Sequence, residues 1–290
     1  MCTCPEARPQ RRLNVRLRFA VLISVVAFAA SCAKPEPPPR QAAAPSLDWT
    51  SFSPAARETL ASELQPVTLK NCTLRRYGSA NDGGYLMCEN LTDTAAAAYS
   101  YGIDTEDNWG CDVSKERHVA VQQYDCFTPH RPTCDGGQFV FHNECVGPRA
   151  ETSDGHSFDT IPAQIARNGH AGQPLLMKMD IEGAEWGSLK ATPDDVLDRF
   201  VQFPMELHLR MADETEILET VRRLKQHFYL VNVHFNNWSC DPAFAPLPAP
   251  AFQVLWVNKR VGIVDLEAPT PAASSPLNAP DNPAAPECGR

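Results

Sequence analysis

Acidic side chains recur at the C-terminal ends of the predicted strands, where carboxylates can bind hydroxyls, hold a cation or accept a proton. Asp125 ends the second predicted strand about 20 residues after a turn at Gly102, a position suited to binding the two hydroxyls of a ribose. The residues that this pattern singles out are Tyr101, Gly102, Asp104, Asp125, Asn143, Glu144, Asp180, Glu182, Glu206 and His208.

Three of these residues, Asp180, Glu182 and His208, have side chains that could transfer a proton or bind a metal ion. His208 has the intrinsic pKa that best suits a base at neutral pH, and Asp180 is the other candidate for that role. Asp180, Glu182 and His208 could instead hold a divalent metal ion, as carboxylates at strand ends do elsewhere. Both interpretations require these residues to meet at one edge of a sheet.

Apolar runs that alternate with helical patterns predict the elements that would bring these residues together. The chain between 50 and 266 is expected to form one α/β domain. We predict helices at 55–64, 158–168 and 214–227. We predict strands at 97–103, 119–125, 139–142, 175–181, 200–209, 229–235 and 252–258.

This alternation indicates a mostly parallel sheet with both faces covered. Only a loop separates the last two strands, so we expect them to pair antiparallel. Ligands of such sheets bind beyond the carboxyl ends of the strands, which is where the acidic residues are predicted.

The first residues indicate export from the cytoplasm. Arginines precede the apolar run FAVLISVVAFAA at 19–30, which is too short for a transmembrane helix and typical of a secretory signal at 1–31. The sequence AASC resembles a bacterial lipobox and predicts lipidation of Cys32, with a plain cleaved signal or an uncleaved anchor as alternatives. The folded part is then exported and held at the membrane, facing the periplasm or exterior.

Proline-rich segments flank the predicted domain. Residues 33–46 contain five prolines, and we expect a semi-extended linker at 32–49. Residues 268–290 contain six prolines with Ala, Ser and Asn, so we predict a disordered tail at 267–290.

Eight cysteines follow Cys32, and an even number in an exported chain predicts disulfides. Cys72–Cys88 and Cys126–Cys134 are the expected pairs, with free buried thiols as the alternative. A zinc site is disfavoured because no C-x-x-C pair follows Cys4.

The composition excludes several classes of protein. The 290 residues are 43% hydrophobic, which is enough for a packed core and excludes bulk disorder and collagen. The net charge of −9 argues against a nucleic-acid partner, because phosphates require a basic surface.

The motifs in this order resemble the S-adenosylmethionine-dependent methyltransferases of the FkbM-like and methyltransferase-like type, in their exported or lumenal branch. The resemblance covers about residues 70–260 and rests on the segments NDGGYLMCENL, AAAAYSYGIDTEDNWGCDV, VQQYDCF, FVFHNECVG, KMDIEGAEW, MELHL and VLWVNK. The segment KMDIEGAEW is the most specific, because D-x-E-G-x-E-W is typical of the family. The resemblance implies a Rossmann-like, seven-stranded class I sheet with an antiparallel last strand.

The resemblance also implies roles for individual residues. Gly102 would let the backbone approach the methionine end of S-adenosylmethionine, Tyr101 and Asp104 would contribute to cofactor binding, and Asp125 would bind the ribose. The adenine region would be contacted by Asn143 and Glu144. The reacting centre would be faced by Asp180 and Glu182, and the acceptor side lined by Glu206 and His208. Ser100 stands where the family usually has an acid.

The predicted activity is O-methylation of a hydroxyl on a small molecule, sugar or glycan. Two alternatives stay open. S-adenosylmethionine is made in the cytoplasm, so an exported domain could be a non-catalytic binding module on the same fold. The Asp180, Glu182 and His208 set could also belong to a metal-dependent transferase or hydrolase.

Overall fold

The computed structural model describes residues 52–269, 271 and 275–289. The predicted signal, the lipidation site Cys32 and the whole of the predicted linker lie outside these residues. The described residues lie in one compact unit. Within the described residues, no helix combines the length and the apolar character that a membrane crossing requires.

A seven-stranded sheet forms the centre of the molecule, and all seven predicted strands are present in it. The bounds of these strands are β3 (Ala97–Tyr101), β4 (Ala120–Tyr124), β5 (Gln138–His142), β9 (Leu175–Met179), β10 (Phe200–His208), β11 (Phe228–Phe235) and β12 (Ala251–Asn258). Their order in the sheet is β11-β12-β10-β9-β3-β4-β5.

The sheet is mostly parallel, as the sequence predicts. Neighbouring strands from β5 across to β10 run parallel, whereas β12 lies antiparallel between β10 and β11. From β3 the chain first continues outward to β4 and β5, and it later returns to add β9 and β10 on the other side. The strand order therefore reverses between β3 and β9, and a crevice opens beyond the carboxyl ends of strands at such a point.

Six helices accompany the sheet. They are α1 (Pro54–Glu63), α2 (Asn108–Arg117), α3 (Ile161–Arg167), α4 (Glu185–Lys190), α5 (Asp194–Leu197) and α6 (Glu214–His227). The predicted bounds of α6 are confirmed: Asp213 caps its first turn by accepting a hydrogen bond from the backbone of Glu216 at 2.8 Å. The helix predicted at 158–168 starts later, because residues 156–159 form a short strand.

The two faces of the sheet bury alternate residues, as the period of a strand requires. Tyr99 and Met177 pack with residues of α1, α3, α4, α5 and α6. Ala98 and Leu176 point to the other face, where α2 and a hairpin cover them. The hairpin consists of β1 (Leu74–Gly78) and β2 (Gly84–Cys88). A small separate sheet is formed by β6 (Cys145–Val146), β7 (Glu151–Ser153) and β8 (His156–Asp159).

Four disulfides join all eight cysteines of the described domain, which indicates an oxidising environment outside the cytoplasm. The predicted Cys72–Cys88 pair is confirmed. The predicted Cys126–Cys134 pair is wrong, because Cys126 follows β4 and lies against Cys145 at the start of β6. The remaining pairs are Cys111–Cys134 and Cys240–Cys288.

The prediction of a disordered tail is wrong for the described part of the C-terminal segment. Residues 275–289 form no regular helix or strand, but Cys288 is tied to Cys240 and the side chain of Asp281 is fully buried. The amide of Asn237 donates to three backbone carbonyls between 282 and 286, which fixes the segment to the loop after β11. Proline-rich composition alone does not reveal a disulfide or such side-chain contacts.

Candidate functional site

A cavity of about 790 Å³ lies beyond the carboxyl ends of β3, β4 and β9, where the strand order reverses. Gly102, Asp125 and Asp180 each follow one of these strands, and all three line the cavity. Asp104 and Glu182 line it as well. The prediction of a shared crevice is therefore confirmed for Gly102, Asp125 and Asp180, whereas the strand-end residues Glu144 and Glu206 do not line it.

Gly102 sits where the backbones of three strands converge. Its N–H donates to the carbonyl of Tyr124 at 3.1 Å, and the N–H of Asp180 donates to the carbonyl of Tyr101 at 3.1 Å. The φ angle of Gly102 is 71°, a left-handed value that glycine adopts without strain. The chain can therefore turn sharply out of β3 at the rim of the cavity.

Asp125 holds together two loops that border the cavity. Its Oδ2 accepts from the N–H groups of Ile103 and Asp104 at 3.1 and 3.2 Å. Its Oδ1 accepts from the N–H groups of Phe127 and Thr128 at 2.8 and 3.0 Å. A carboxylate offers about four acceptor sites. Four backbone N–H groups thus donate to the two oxygens of Asp125. Ribose hydroxyls that donate to Asp125 would have to share these oxygens with the backbone.

Asp180 presents its carboxylate to the cavity, where Tyr85 and Lys178 lie against one of its oxygens. Tyr85 Oη donates to Asp180 Oδ2 at 2.9 Å, and Lys178 Nζ lies 3.6 Å from the same oxygen. Lys178 also donates to the carbonyl of Gly102. Burial raises the pKa of Tyr85 well above its usual value, and the charge of Asp180 adds to this effect, so the phenol keeps its proton.

His208 lies in a buried group of carboxylates beside the cavity and does not line it. Its Nδ1 is 3.0 Å from Oε1 of Glu185, and its Nε2 is 3.7 Å from Oε1 of Glu206. Burial opposes a charged ring, but the Glu185 hydrogen bond and the charges of Glu185, Glu206 and Asp180 outweigh it and raise the pKa of His208 to about 10. The ring is then protonated at neutral pH, which argues against the prediction that it acts as a base there.

Glu206 is buried at the end of β10 near His208. Burial raises its pKa well above the usual value, and the negative charge of Asp180 raises it further. The amide of Asn236 donates to Glu206 Oε1 at 2.6 Å. The cluster thus combines a protonated imidazole, His208, with a buried carboxyl group, Glu206, whose pKa is raised.

Several predicted site residues lie away from the cavity lining. Tyr101 is fully buried and packs on Tyr99 and Tyr124. Asn143 is exposed, and Glu144 pairs with Arg167 on α3 and accepts from Gln164 at 2.8 Å. Glu182, in contrast, does line the cavity, at its rim, with its side chain 72% exposed and paired to Arg210.

Sequence reasoning missed other residues of the site. Tyr85 lies in the hairpin and not at the carboxyl end of a predicted strand. Lys178 belongs to the segment KMDIEGAEW but was not predicted as a site residue. Glu185 lies in the first turn of α4 and is fully buried, and it was not predicted as a site residue. Phe127, 70% exposed, and Phe158 form an aromatic wall of the cavity, and only their proximity in space links them.

The cavity is strongly acidic. Seven carboxyl groups line it against two groups that can carry positive charge, Lys178 and His130. A cationic ligand would therefore be favoured over an anionic one. The seven acids are Asp82, Asp104, Glu106, Asp107, Asp125, Asp180 and Glu182.

Comparison of the chain with family models, with curated proteins and with solved structures gives no match. The α/β class rests on the sheet itself, and function has to be argued from the cavity.

Proposed function

We propose that this protein is an S-adenosylmethionine-dependent methyltransferase that methylates a hydroxyl of a small molecule, sugar or glycan. The observation that carries the proposal is the cavity shared by Gly102, Asp125 and Asp180 at the point where the strand order reverses. The antiparallel strand β12 agrees with the sheet that the sequence resemblance implies.

The size, walls and charge of the cavity fit this cofactor. A volume of about 790 Å³ is within the range of cofactor sites. The aromatic wall of Phe127 and Phe158 suits a nucleobase, and the acidic lining suits a sulfonium cation. Bound there, the cofactor would supply an electrophilic methyl group.

Asp125 supports the nucleoside by shaping its binding loops. The four backbone N–H groups that it accepts belong to 103–104 and 127–128, and both loops line the cavity. Asp125 and Asp104 would then share the direct contact with the ribose. The carboxylate of Asp104 is exposed at the same rim and can also bind the ribose hydroxyls.

Asp180 positions the acceptor and takes its proton. Tyr85 and Lys178 both contact Oδ2, which fixes the orientation of the carboxyl group. We assign proton uptake to the other oxygen, Oδ1. With the cofactor bound, transfer of its sulfonium methyl group to the acceptor oxygen would release the hydroxyl proton of the acceptor, and Asp180 would take up that proton.

Glu182 and His208 act in support of this step. Glu182 lies at the rim of the cavity, where it can bind an acceptor hydroxyl. His208 is held by Glu185 and Glu206 behind Asp180, so that its positive charge offsets the surrounding carboxylates. Its role is positioning, because it does not line the cavity.

Calorimetry on the oxidised full-length chain tests the proposal with S-adenosylmethionine and its demethylated product as ligands. We expect saturable binding of both. Asp104→Asn should weaken the affinity about tenfold, the effect of losing one charge-assisted contact. Asn tolerates the left-handed φ of 46° at this position, so the backbone is preserved.

Asp135→Asn is the matched control, because Asp135 is exposed and lies outside the cavity lining. Its affinity should equal that of the unmodified chain. If neither ligand binds, the methyltransferase proposal is rejected and the non-catalytic module is favoured. The observation that supports this module is the oxidising compartment that the four disulfides indicate.

A further inference from the structure

The cluster behind the cavity combines two carboxylates and an imidazole in a metal-binding arrangement. Asp180, Glu185 and His208 each offer one ligand atom, and these three atoms lie within 4.8 Å of one another. They come from three different segments, namely the ends of β9 and β10 and the start of α4. The surrounding sheet and helix therefore fix their relative positions.

Glu185 supplies a second observation that points to a ligand. The residue is fully buried, and its Oε1 accepts from the N–H of Ile181 at 3.1 Å and faces His208 Nδ1. Its Oε2 is also buried but has no hydrogen-bond partner among the described residues. A buried carboxylate oxygen without a donor is costly, and a bound cation would relieve that cost.

The surroundings favour a cation over a neutral ligand. Glu206 Oε1 lies 3.7 Å from His208 Nε2, which brings a third carboxyl group to the cluster. Asp180 lines the cavity and is partly exposed, so an ion could enter from that side.

We propose that Asp180, Glu185 and His208 form a binding site for one divalent transition-metal ion. Carboxylate oxygens suit Mn²⁺ and imidazole nitrogen suits Zn²⁺, so ions of this class match the mixed donor set. Glu182 Oε2 also lies 3.7 Å from His208 Nε2, but this side chain is exposed and paired with Arg210, so Glu185 takes its place in the ligand set. The site does not depend on methyl transfer.

Titration of the metal-free, oxidised full-length chain with Mn²⁺, followed by calorimetry and by electron paramagnetic resonance, tests this site. We expect one saturable site per chain. Glu185→Gln keeps the shape of the side chain and removes its charge, and it should weaken Mn²⁺ binding at least about tenfold. Glu63→Gln removes a carboxylate that pairs with Lys225 on the surface and should leave the affinity unchanged.

Circular dichroism shows whether each variant folds. If Glu185→Gln does not fold, Asp180→Asn is used in its place. A saturable site that weakens in either of these two variants supports the proposal. Lack of saturable binding up to about 1 mM Mn²⁺ overturns it. Binding that neither substitution changes also overturns it, because the ion then lies elsewhere. No S-adenosylmethionine is present, so this result is independent of the methyltransferase test.

Discussion

A Cβ atom on Gly102 would lie 1.7 Å from the carbonyl oxygen of Asp180. Gly102 follows β3 and Asp180 follows β9, so this close approach joins the two strands between which the sheet order reverses. Lys178 strengthens the same junction by donating from β9 to the carbonyl of Gly102. The rim of the cavity is therefore built on backbone contact that no larger residue permits.

Replacing Gly102 with alanine should destabilise the fold. The Cβ atom would collide with backbone, and the φ of 71° adds strain, so we expect the free energy of unfolding to fall by about 3 kcal/mol or more. Urea unfolding measures this change. Gly169→Ala is the control, because Gly169 has a similar φ of 77° with nothing within 4 Å of a Cβ, and it should cost about 1 kcal/mol. Equal losses would refute the steric explanation.

The sequence predicted the sheet because each strand is a short apolar run with its own boundary. The run at 175–179 is fully buried and the polar residues after it end the strand, so hydrophobicity alone locates β9. Residues 108–117 were not predicted as a helix, because this segment is polar and its buried Trp109 and Val113 pack against the hairpin. Tertiary contact overrides the local signal there.

The acidic residues at the rim of the cavity were predictable from the sequence, but the hydrogen bonds that hold them were not. Strand ends placed Asp125 and Asp180 at one crevice by topology alone. No spacing rule reveals that Asp125 accepts four backbone N–H groups, or that Glu185 holds His208 from a different element. Such contacts depend on side-chain directions that are fixed only when the loops pack.

Asp125→Asn should loosen the two loops that the carboxylate holds. The amide keeps one acceptor oxygen, but its NH₂ group would face backbone donors, so we expect stability to fall by about 1–3 kcal/mol. Hydrogen exchange measures the protection of the amides of Ile103, Asp104, Phe127 and Thr128, which should decrease for one pair at least. Asp135→Asn on the surface should leave all four unchanged. Full protection in Asp125→Asn would contradict the capping role.

Removing the Cys240–Cys288 disulfide should release the C-terminal segment. The bond closes a loop with a sequence separation of 48 residues, and its loss should reduce stability by up to about 4 kcal/mol on chain-entropy grounds. In the Cys240→Ser/Cys288→Ser double variant we expect proteolysis within 275–289. The Cys111→Ser/Cys134→Ser variant lacks a disulfide elsewhere and should keep this segment protected. Equal resistance in both variants would show that the hydrogen bonds alone hold it.

Asp281 makes the docking of this segment depend on pH. Burial, reinforced by the charge of Asp82, raises the pKa of Asp281 from 3.8 to about 7, although the positive charge of Arg76 opposes the shift. Its Oδ1 accepts from Gln253 at 2.9 Å, and its Oδ2 lies 3.8 Å from His234 Nδ1. Because the folded pKa is above the unfolded value, the stabilisation is complete below about pH 4 and is lost as the pH rises through 7.

Asp281→Asn isolates this contribution, because asparagine keeps an acceptor for Gln253 but does not ionise. The free energy of unfolding of the unmodified chain, measured relative to this variant, should fall between about pH 4 and 7 by at most about 4 kcal/mol and then level off. Urea unfolding of both proteins at several pH values across this range measures the difference. The ionisation of other groups contributes equally to both proteins and cancels. A difference that does not change with pH would mean that Asp281 stays ionised in the folded protein, and that the segment docks with the charge in place.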